Sequence, residues 1–250
     1  MRSVRTALRV LEAVSELQPV GLTELTRQLG LPKTTVHRGL TSLAEDGWLE
    51  GDPDDSTRWI VGMKAFIVGS TVSNRGSLRE RALPFMHDLS SDVGETIHLM
   101  IRDGDQVVLI ERVDSPHPVR AIAPLGARAP LHASSNGKAI LARLPSDEIT
   151  HYVQSGLSAV TARTVTRASD MYDELQLTRK RGYAVADEEL QEGVVSIAAP
   201  ILDSNSRPIG SVSISGPKPR MPKSVRPDYG RKVRSTAEQI GGSLPAVFTR

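Results

Sequence analysis

The chain contains no cysteine, which excludes disulfides and thiolate metal sites. No apolar run reaches the length of a membrane span, and the first residues hold no uninterrupted apolar stretch of a secretion signal. Together these absences predict a cytoplasmic protein with no membrane partner. The six histidines are scattered, with no pair at i, i+4, so no metal site and no cofactor is expected. A phosphate-binding loop is also missing. Gly137-Lys138 is followed by Ala139, and position 132 is His where that loop requires Gly. There is no internal repeat and no low-complexity tract.

The 250 residues that remain are 39% hydrophobic and 24% charged, ordinary values for a globular chain of one large or two modest domains. The net charge of +2, with a pI near 9.0, leans basic without deciding a partner. Placement of charge is more telling. Arg2, Arg5, Arg9, Arg27, Lys33 and Arg38 precede an acidic stretch made of Glu45, Asp46, Glu50, Asp52, Asp54 and Asp55. Any nucleic-acid surface must therefore be local. A second basic cluster, Lys218 to Arg234, reads as a solvated loop and helix face.

Apolar residues at Ala7, Val10, Leu11, Val14 and Leu17 predict a helix over 3–18, ended by Pro19 and Gly21. Thr23 is placed to cap a second, short helix through Leu29, closed by Gly30. Leu31 makes a turn, and Pro32 suits the first position of a third helix. In that helix Val36, Leu40 and Leu43 fall within about 60° of one another at 100° per residue. Thr34, Arg38 and Thr41 point away, flanked by Thr35, His37 and Ser42. This outer face is rich in donors and carries no acid, as the major groove of DNA demands. The plainer reading is an ordinary polar helix face. The flanking elements decide between them, because strands at 48–50 and 58–61, joined by a turn-rich segment, form a hairpin directly after the helix. Residues 1–61 thus read as a winged helix-turn-helix.

A linking helix follows over 62–76, and Ser77-Leu78-Arg79-Glu80 has capping-box spacing for another helix. In 77–250, strands are expected at 96–101, 106–113, 119–123, 183–187, 194–201 and 209–215. Helices are expected at 135–144, 146–154, 169–181 and 225–244. Tight turns such as Asp103-Gly104-Asp105 imply a largely antiparallel sheet, so the fold class is α+β.

Segment 211–215 alternates Ser211, Ser213 and Ser215 on one face with Val212 and Ile214 on the other, which suggests a polar pocket floor. Ser196 interrupts a strand of small apolar residues and is placed to add a hydroxyl. The helix opening at Ser134-Ser135-Asn136-Gly137 offers backbone N–H groups to a carboxylate. Asp187 and Glu189 could mimic an acid/base pair, though cap or hydrogen-bonding roles are commoner. His132 beside Ser134 and Ser135 has hydrolase ingredients without a nucleophile elbow. No catalytic residue is assigned.

Several ordered segments carry a family resemblance: Gly21-Leu22-Thr23-Glu24-Leu25, Leu31-Pro32-Lys33-Thr34-Thr35-Val36-His37-Arg38, Gly94-Glu95-Thr96-Ile97-His98-Leu99, Glu111-Arg112-Val113-Asp114-Ser115 and Pro130-Leu131-His132-Ala133. Asn136-Gly137-Lys138-Ala139, Arg181-Gly182-Tyr183-Ala184-Val185, Asp187-Glu188-Glu189 and Ser213-Ile214-Ser215-Gly216-Pro217 continue the series. From about 4 to 244 the chain resembles the IclR family of bacterial transcriptional regulators. The resemblance implies a winged helix-turn-helix, a linker helix and a GAF/profilin-like α/β effector-binding domain, assembled as dimers and often as tetramers (dimers of dimers) on operator DNA. It also implies that Ser135, Asn136, Ser213 and Ser215 match positions that hold a small acidic effector. Ser196 matches a position that is often cysteine. Ala186 stands where many members have aspartate, which favours a larger or less polar, aromatic ligand.

The expected function is a ligand-responsive, sequence-specific transcriptional regulator, a repressor or an activator. Thr34, Thr35, His37, Arg38 and Thr41 would approach base edges, with Lys33 and Thr23 on phosphates. Arg58 in the wing, and Arg2 and Arg5 in a leading arm, would enter a minor groove. A frayed, solvated end is the alternative for the arm, and packing on the second helix is the alternative for His37. Ser135, Asn136, Gly137, Ala186, Asp187, Ser196, Ser213 and Ser215 would hold an organic-acid or aromatic metabolite. The competing readings are a sensor-domain enzyme carrying a DNA-binding module and a nucleoid-type DNA binder without ligand.

Overall fold

The computed structural model describes residues 2–71 and 76–244, which fall into two compact units, 1–75 and 76–250. Residues 72–75 of the expected linker helix and the side chain of Ser77 lie outside the described residues.

In the first unit, helix α1 (Arg2–Leu17) packs on α2 (Leu22–Leu29) and α3 (Lys33–Glu45). Val10, Val14, Leu25, Val36 and Leu40 are fully buried between them, as the apolar spacing requires. Gly39 lets α1 come close, since a Cβ there would lie 3.2 Å from Val10 Cγ2. Two helix starts differ from expectation. Val20–Gly21 forms a short strand, β1, that runs straight into α2, so Gly21 is the cap and Thr23 lies inside the first turn. Pro32 caps α3 from outside, with extended ψ of 138°, and its carbonyl accepts from the N–H groups of Thr35 and Val36. Gly30 closes α2 at φ 63°, donating to the Thr26 carbonyl, as a C-terminal glycine should.

The wing consists of β2 (Leu49–Gly51) and β3 (Arg58–Val61), paired antiparallel from Leu49↔Val61 to Gly51↔Trp59. β1 adds to the other edge of β3, giving the order β1-β3-β2. Two residues carry no readable period, so this third strand had no sequence signal. Helix α4 (Met63–Thr71) follows.

The second unit opens with α5 (Gly76–Val93), β4 (Thr96–Asp103), β5 (Gln106–Val113) and β6 (Arg128–Pro130). It continues through α6 (Ser135–Leu141), α7 (Ser146–Gln154), α8 (Ala168–Arg181), β7 (Ala184–Asp187), β8 (Val194–Leu202), β9 (Pro208–Pro217) and α9 (Arg226–Gly242). The strands form an antiparallel sheet of order β6-β5-β4-β9-β8-β7. Met86 of α5 and Val233 and Ile240 of α9 bury one face against Ile97, Leu99, Val195, Ile197, Val212 and Ile214. On the opposite face lie α6 and, beyond it, α7 and α8. Period-two alternation then turns His98, Ala186, Ser196, Ser213 and Ser215 toward α6.

The strand expected at 119–123 is absent, and that stretch belongs to an irregular segment between β5 and β6. Pro116, Pro118 and Pro124 have no N–H for a ladder, and arginine side chains take the carbonyls instead. Arg220 Nη1 donates to Val119 O at 2.9 Å, and Arg112 Nη1 donates to Ala123 O. Among the described residues no helix is long and apolar enough to cross a membrane.

Candidate recognition helix and ligand cavity

On α3, Lys33, Thr34, His37 and Arg38 are exposed while Thr35 and Thr41 are half-buried. The packing alternative for His37 is thereby excluded. Thr41 Oγ1 donates to the His37 carbonyl at 3.0 Å, tying the hydroxyl to its own helix. Among the described residues neither Lys33 nor Arg38 has an ion-pair partner, so both cations face outward uncompensated. Thr23 is exposed on the first turn of α2.

Three expectations for the flanks change. Arg2 and Arg5 lie within α1 and not on an extended arm, because the helical stripe begins at the second residue. Arg5 is exposed, and the side chain of Arg2 lies outside the described residues. Arg58 donates through Nε and Nη2 to the Pro19 carbonyl at 2.9 and 2.6 Å and stands 3.6 Å from Glu24. Its side chain is held at the start of β3 against Pro19 and Glu24 and is not extended toward a groove. The tip itself is acidic. Asp55 Oδ1 accepts from the N–H and hydroxyl of Thr57, and those bonds hold its carboxyl below the usual range.

In the second unit, a cavity of about 80 Å³ lies between the sheet and the start of α6. Of the residues expected there, Ser135, Asn136, Ala186, Ser196 and Ser215 line it. Ser135 Oγ donates to Ser196 Oγ at 2.8 Å across the cavity wall. Ser213 sits behind Asn136, accepting from its Nδ2 at 2.8 Å. Gly137 and Asp187 do not line it. The Gly137 N–H is already held by Ser134 Oγ at 3.0 Å, and a Cβ on Gly137 would lie 2.4 Å from the Leu131 backbone. Gly137 is a packing residue. Asp187 pairs with Arg226 at 2.9 Å and Lys218 at 3.3 Å. Burial would raise its carboxyl, but those bonds outweigh it and leave the group below its usual range.

Sequence reasoning missed His98, Met100, Ile122, Leu190, Gln191 and Val194, all of which line the cavity. His98 was within reach, because alternation from Ile97 and Leu99 puts it on the α6 face. Met100 and Val194 were within reach too, as they share strand faces with His98 and Ser196, while Ile122, Leu190 and Gln191 come from the irregular segment and a turn, where no period applies. His98 is 6% exposed, and burial pushes its imidazole down to about 4, with the Arg112 charge adding to the effect. It is neutral.

The suspected acid/base and hydrolase groups are otherwise engaged. Glu189 binds buried Lys138 at 2.8 and 2.9 Å and accepts from the Asp187 backbone N–H at 3.4 Å, while the Asp187 carboxylate pairs with Arg226 and Lys218. His132 meets the Tyr152 hydroxyl through Nδ1 at 2.7 Å and the Ser158 carbonyl through Nε2 at 2.9 Å. Both ring nitrogens are occupied.

The helix-turn-helix and the cavity domain each match a family model. Residues 3–53 match the IclR helix-turn-helix domain, and residues 70–242 match the bacterial transcriptional regulator IclR C-terminal domain. The chain belongs to the IclR family. It is 34% identical over 244 residues to the transcriptional repressor IclR of Escherichia coli, covering 96% of this chain and 89% of that protein. Its fold is similar to the crystal structure of the Thermotoga maritima IclR, at a TM-score of 0.80 and 29% identity, covering 98% and 99% of the two chains. It is also similar to an IclR homologue from Microbacterium hydrocarbonoxydans crystallised with 4-hydroxybenzoate. There the TM-score is 0.83 at 26% identity, covering 96% and 98%. As an IclR-family member the chain is a DNA-binding transcriptional regulator with an effector-binding domain.

Proposed function

We propose that the protein is a cytoplasmic repressor, without catalytic activity, whose grip on one operator is set by a small organic-acid or aromatic ligand. The observation that carries this reading is the outward face of α3, with donors and uncompensated cations and no acid in its first turn. Thr34, Thr35, His37, Arg38 and Thr41 read base edges in the major groove, while Lys33 and Thr23 hold phosphates. Arg5 adds a cation on α1. The acidic wing tip stays away from the phosphate backbone.

Two copies would place two recognition helices on a near-palindromic site. Met63 and Phe66 on α4, and Val4 and Leu8 on α1, are 52–72% exposed and supply apolar side chains for self-association. Pairing of dimers into tetramers follows the family pattern. The 62–76 segment then carries ligand-induced changes to the helix-turn-helix unit.

The cavity residues Ser135, Asn136, Ala186, Ser196 and Ser215 hold the ligand, with Ser213 as their support. The crystallised homologue with 4-hydroxybenzoate supports an aromatic ligand. The cavity volume favours a smaller one, being about half the ~150 Å³ that accommodates benzene in an engineered core. An aromatic ligand requires Ile122 or the 188–193 segment to give way.

Fluorescence anisotropy on DNA from upstream of the protein's own coding region tests the reading. Binding tighter than to random DNA of equal length at matched salt is expected. Equal affinity for the two would overturn it.

A further inference from the structure

Asn136 and His98 are 4% and 6% exposed and both line the cavity. Each keeps one polar atom without a partner among the described residues, Asn136 Oδ1 and His98 Nε2. Buried polar atoms are ordinarily paired, so two such atoms at one cavity wall define what a ligand must bring.

Their polarity follows from the hydrogen bonds behind them. Asn136 Nδ2 donates to Ser213 Oγ at 2.8 Å. The Ser213 and Ser215 hydroxyls lie 3.5 Å apart, and Ser215 Oγ lies 3.2 Å from His98 Nδ1. Ser213 accepts from the amide, and one arrangement that satisfies the chain has Ser213 donating to Ser215 and Ser215 donating to His98 Nδ1. The imidazole is neutral and carries a single proton, which sits on Nε2 when Nδ1 accepts from Ser215. In that arrangement one open donor, His98 Nε2–H, and one open acceptor, Asn136 Oδ1, face the cavity. No charged side chain lines it among the described residues. Arg112, the cation that acts on His98, is paired with Asp114 at 2.5 Å.

We propose that the cavity floor recognises a hydroxyl group on the ligand, which accepts from His98 and donates to Asn136, and that the effector is a hydroxylated metabolite. A carboxylate end offers no donor to Asn136 Oδ1 and meets no charged side chain in the cavity lining. This inference rests on the cavity being the effector site.

Isothermal calorimetry on the full chain tests it with matched compounds: 4-hydroxybenzoate, benzoate and 4-methoxybenzoate, then lactate, propionate and 2-methoxypropionate. At least one hydroxylated member should bind about tenfold or more tightly than both its deoxy and its O-methyl partner. His98→Phe should bring that compound to the level of its deoxy partner. The wild-type series keeps the test decisive if this variant does not fold. Hydroxylated members that bind no better than their partners would overturn the hydroxyl assignment, as would a series in which none binds. Ser196→Phe, which fills the cavity, separates the two claims. Loss of binding in that variant without any hydroxyl preference leaves the cavity reading standing. Binding that survives Ser196→Phe places the ligand elsewhere and defeats both.

Discussion

Lys138 Nζ lies 2.8 and 2.9 Å from the two carboxylate oxygens of Glu189, and the lysine is completely buried. The ammonium also donates to the Val185 carbonyl at 2.5 Å. This pair ties α6, which presents Ser135 and Asn136, to the turn that presents Leu190 and Gln191. Burial raises the Glu189 carboxyl above its usual range, with Lys138 offsetting part of that effect. The arrangement fixes both walls of the cavity to each other.

Breaking the pair from one side strands a buried charge. Lys138→Met should lower unfolding free energy by about 3–5 kcal/mol, read by urea denaturation. The double variant Lys138→Met with Glu189→Leu should recover most of that loss. A double variant as unstable as the sum of its single changes would show that the pair is not coupled.

His98 gives the protein a defined pH response. Its folded pKa of about 4 lies below the 6.5 of an unperturbed histidine, so between these values the unfolded chain holds a proton that the folded chain lacks. Its contribution is full above pH 6.5 and is lost as pH falls toward 4, roughly 3 kcal/mol in total. Urea melts at pH 7.5 and 5.0 should show a smaller loss of stability in His98→Phe than in wild type. Equal losses would contradict the neutral, buried assignment.

Arg38 is exposed on α3, and among the described residues it has no ion-pair partner. Arg38→Ala should weaken operator binding by about 1–3 kcal/mol without changing the ligand-induced shift in melting temperature. Unchanged operator affinity in anisotropy would count against α3 as the reading element.

Phe66 is 72% exposed on α4, where a change to Asp removes little internal packing. Phe66→Asp should therefore leave stability within about 0.5 kcal/mol while shifting light-scattering mass toward the monomer. A dimer as tight as wild type would assign self-association to another surface.

Much of this was legible in the residues themselves. The stripe Val36, Leu40 and Leu43 located α3, and alternation at 211–215 located the hydroxyls beneath α6, because both elements have a period that the core imposes. What escaped has no period. β1 is two residues long, Ile122 sits in a proline-rich segment held by arginine side chains, and Leu190 and Gln191 sit in a turn. Asp187 and Arg58 misled for a different reason. Their charges looked available in sequence, yet each meets partners distant along the chain, Arg226 and Lys218 for Asp187, and Pro19 and Glu24 for Arg58. Thr23 and Pro32 were displaced by one position or more at helix starts, the least determined point of any helix.

The central claim is that occupancy of the cavity controls DNA binding. It is tested most directly by measuring operator affinity as 4-hydroxybenzoate and lactate are titrated, with wild type and Ser196→Phe side by side. Wild-type affinity should change by about 5–150-fold with at least one compound, the range of ordinary allosteric coupling. The variant should bind the operator and fail to respond. An operator affinity that ignores both compounds in wild type, or responds equally in the variant, would contradict the account.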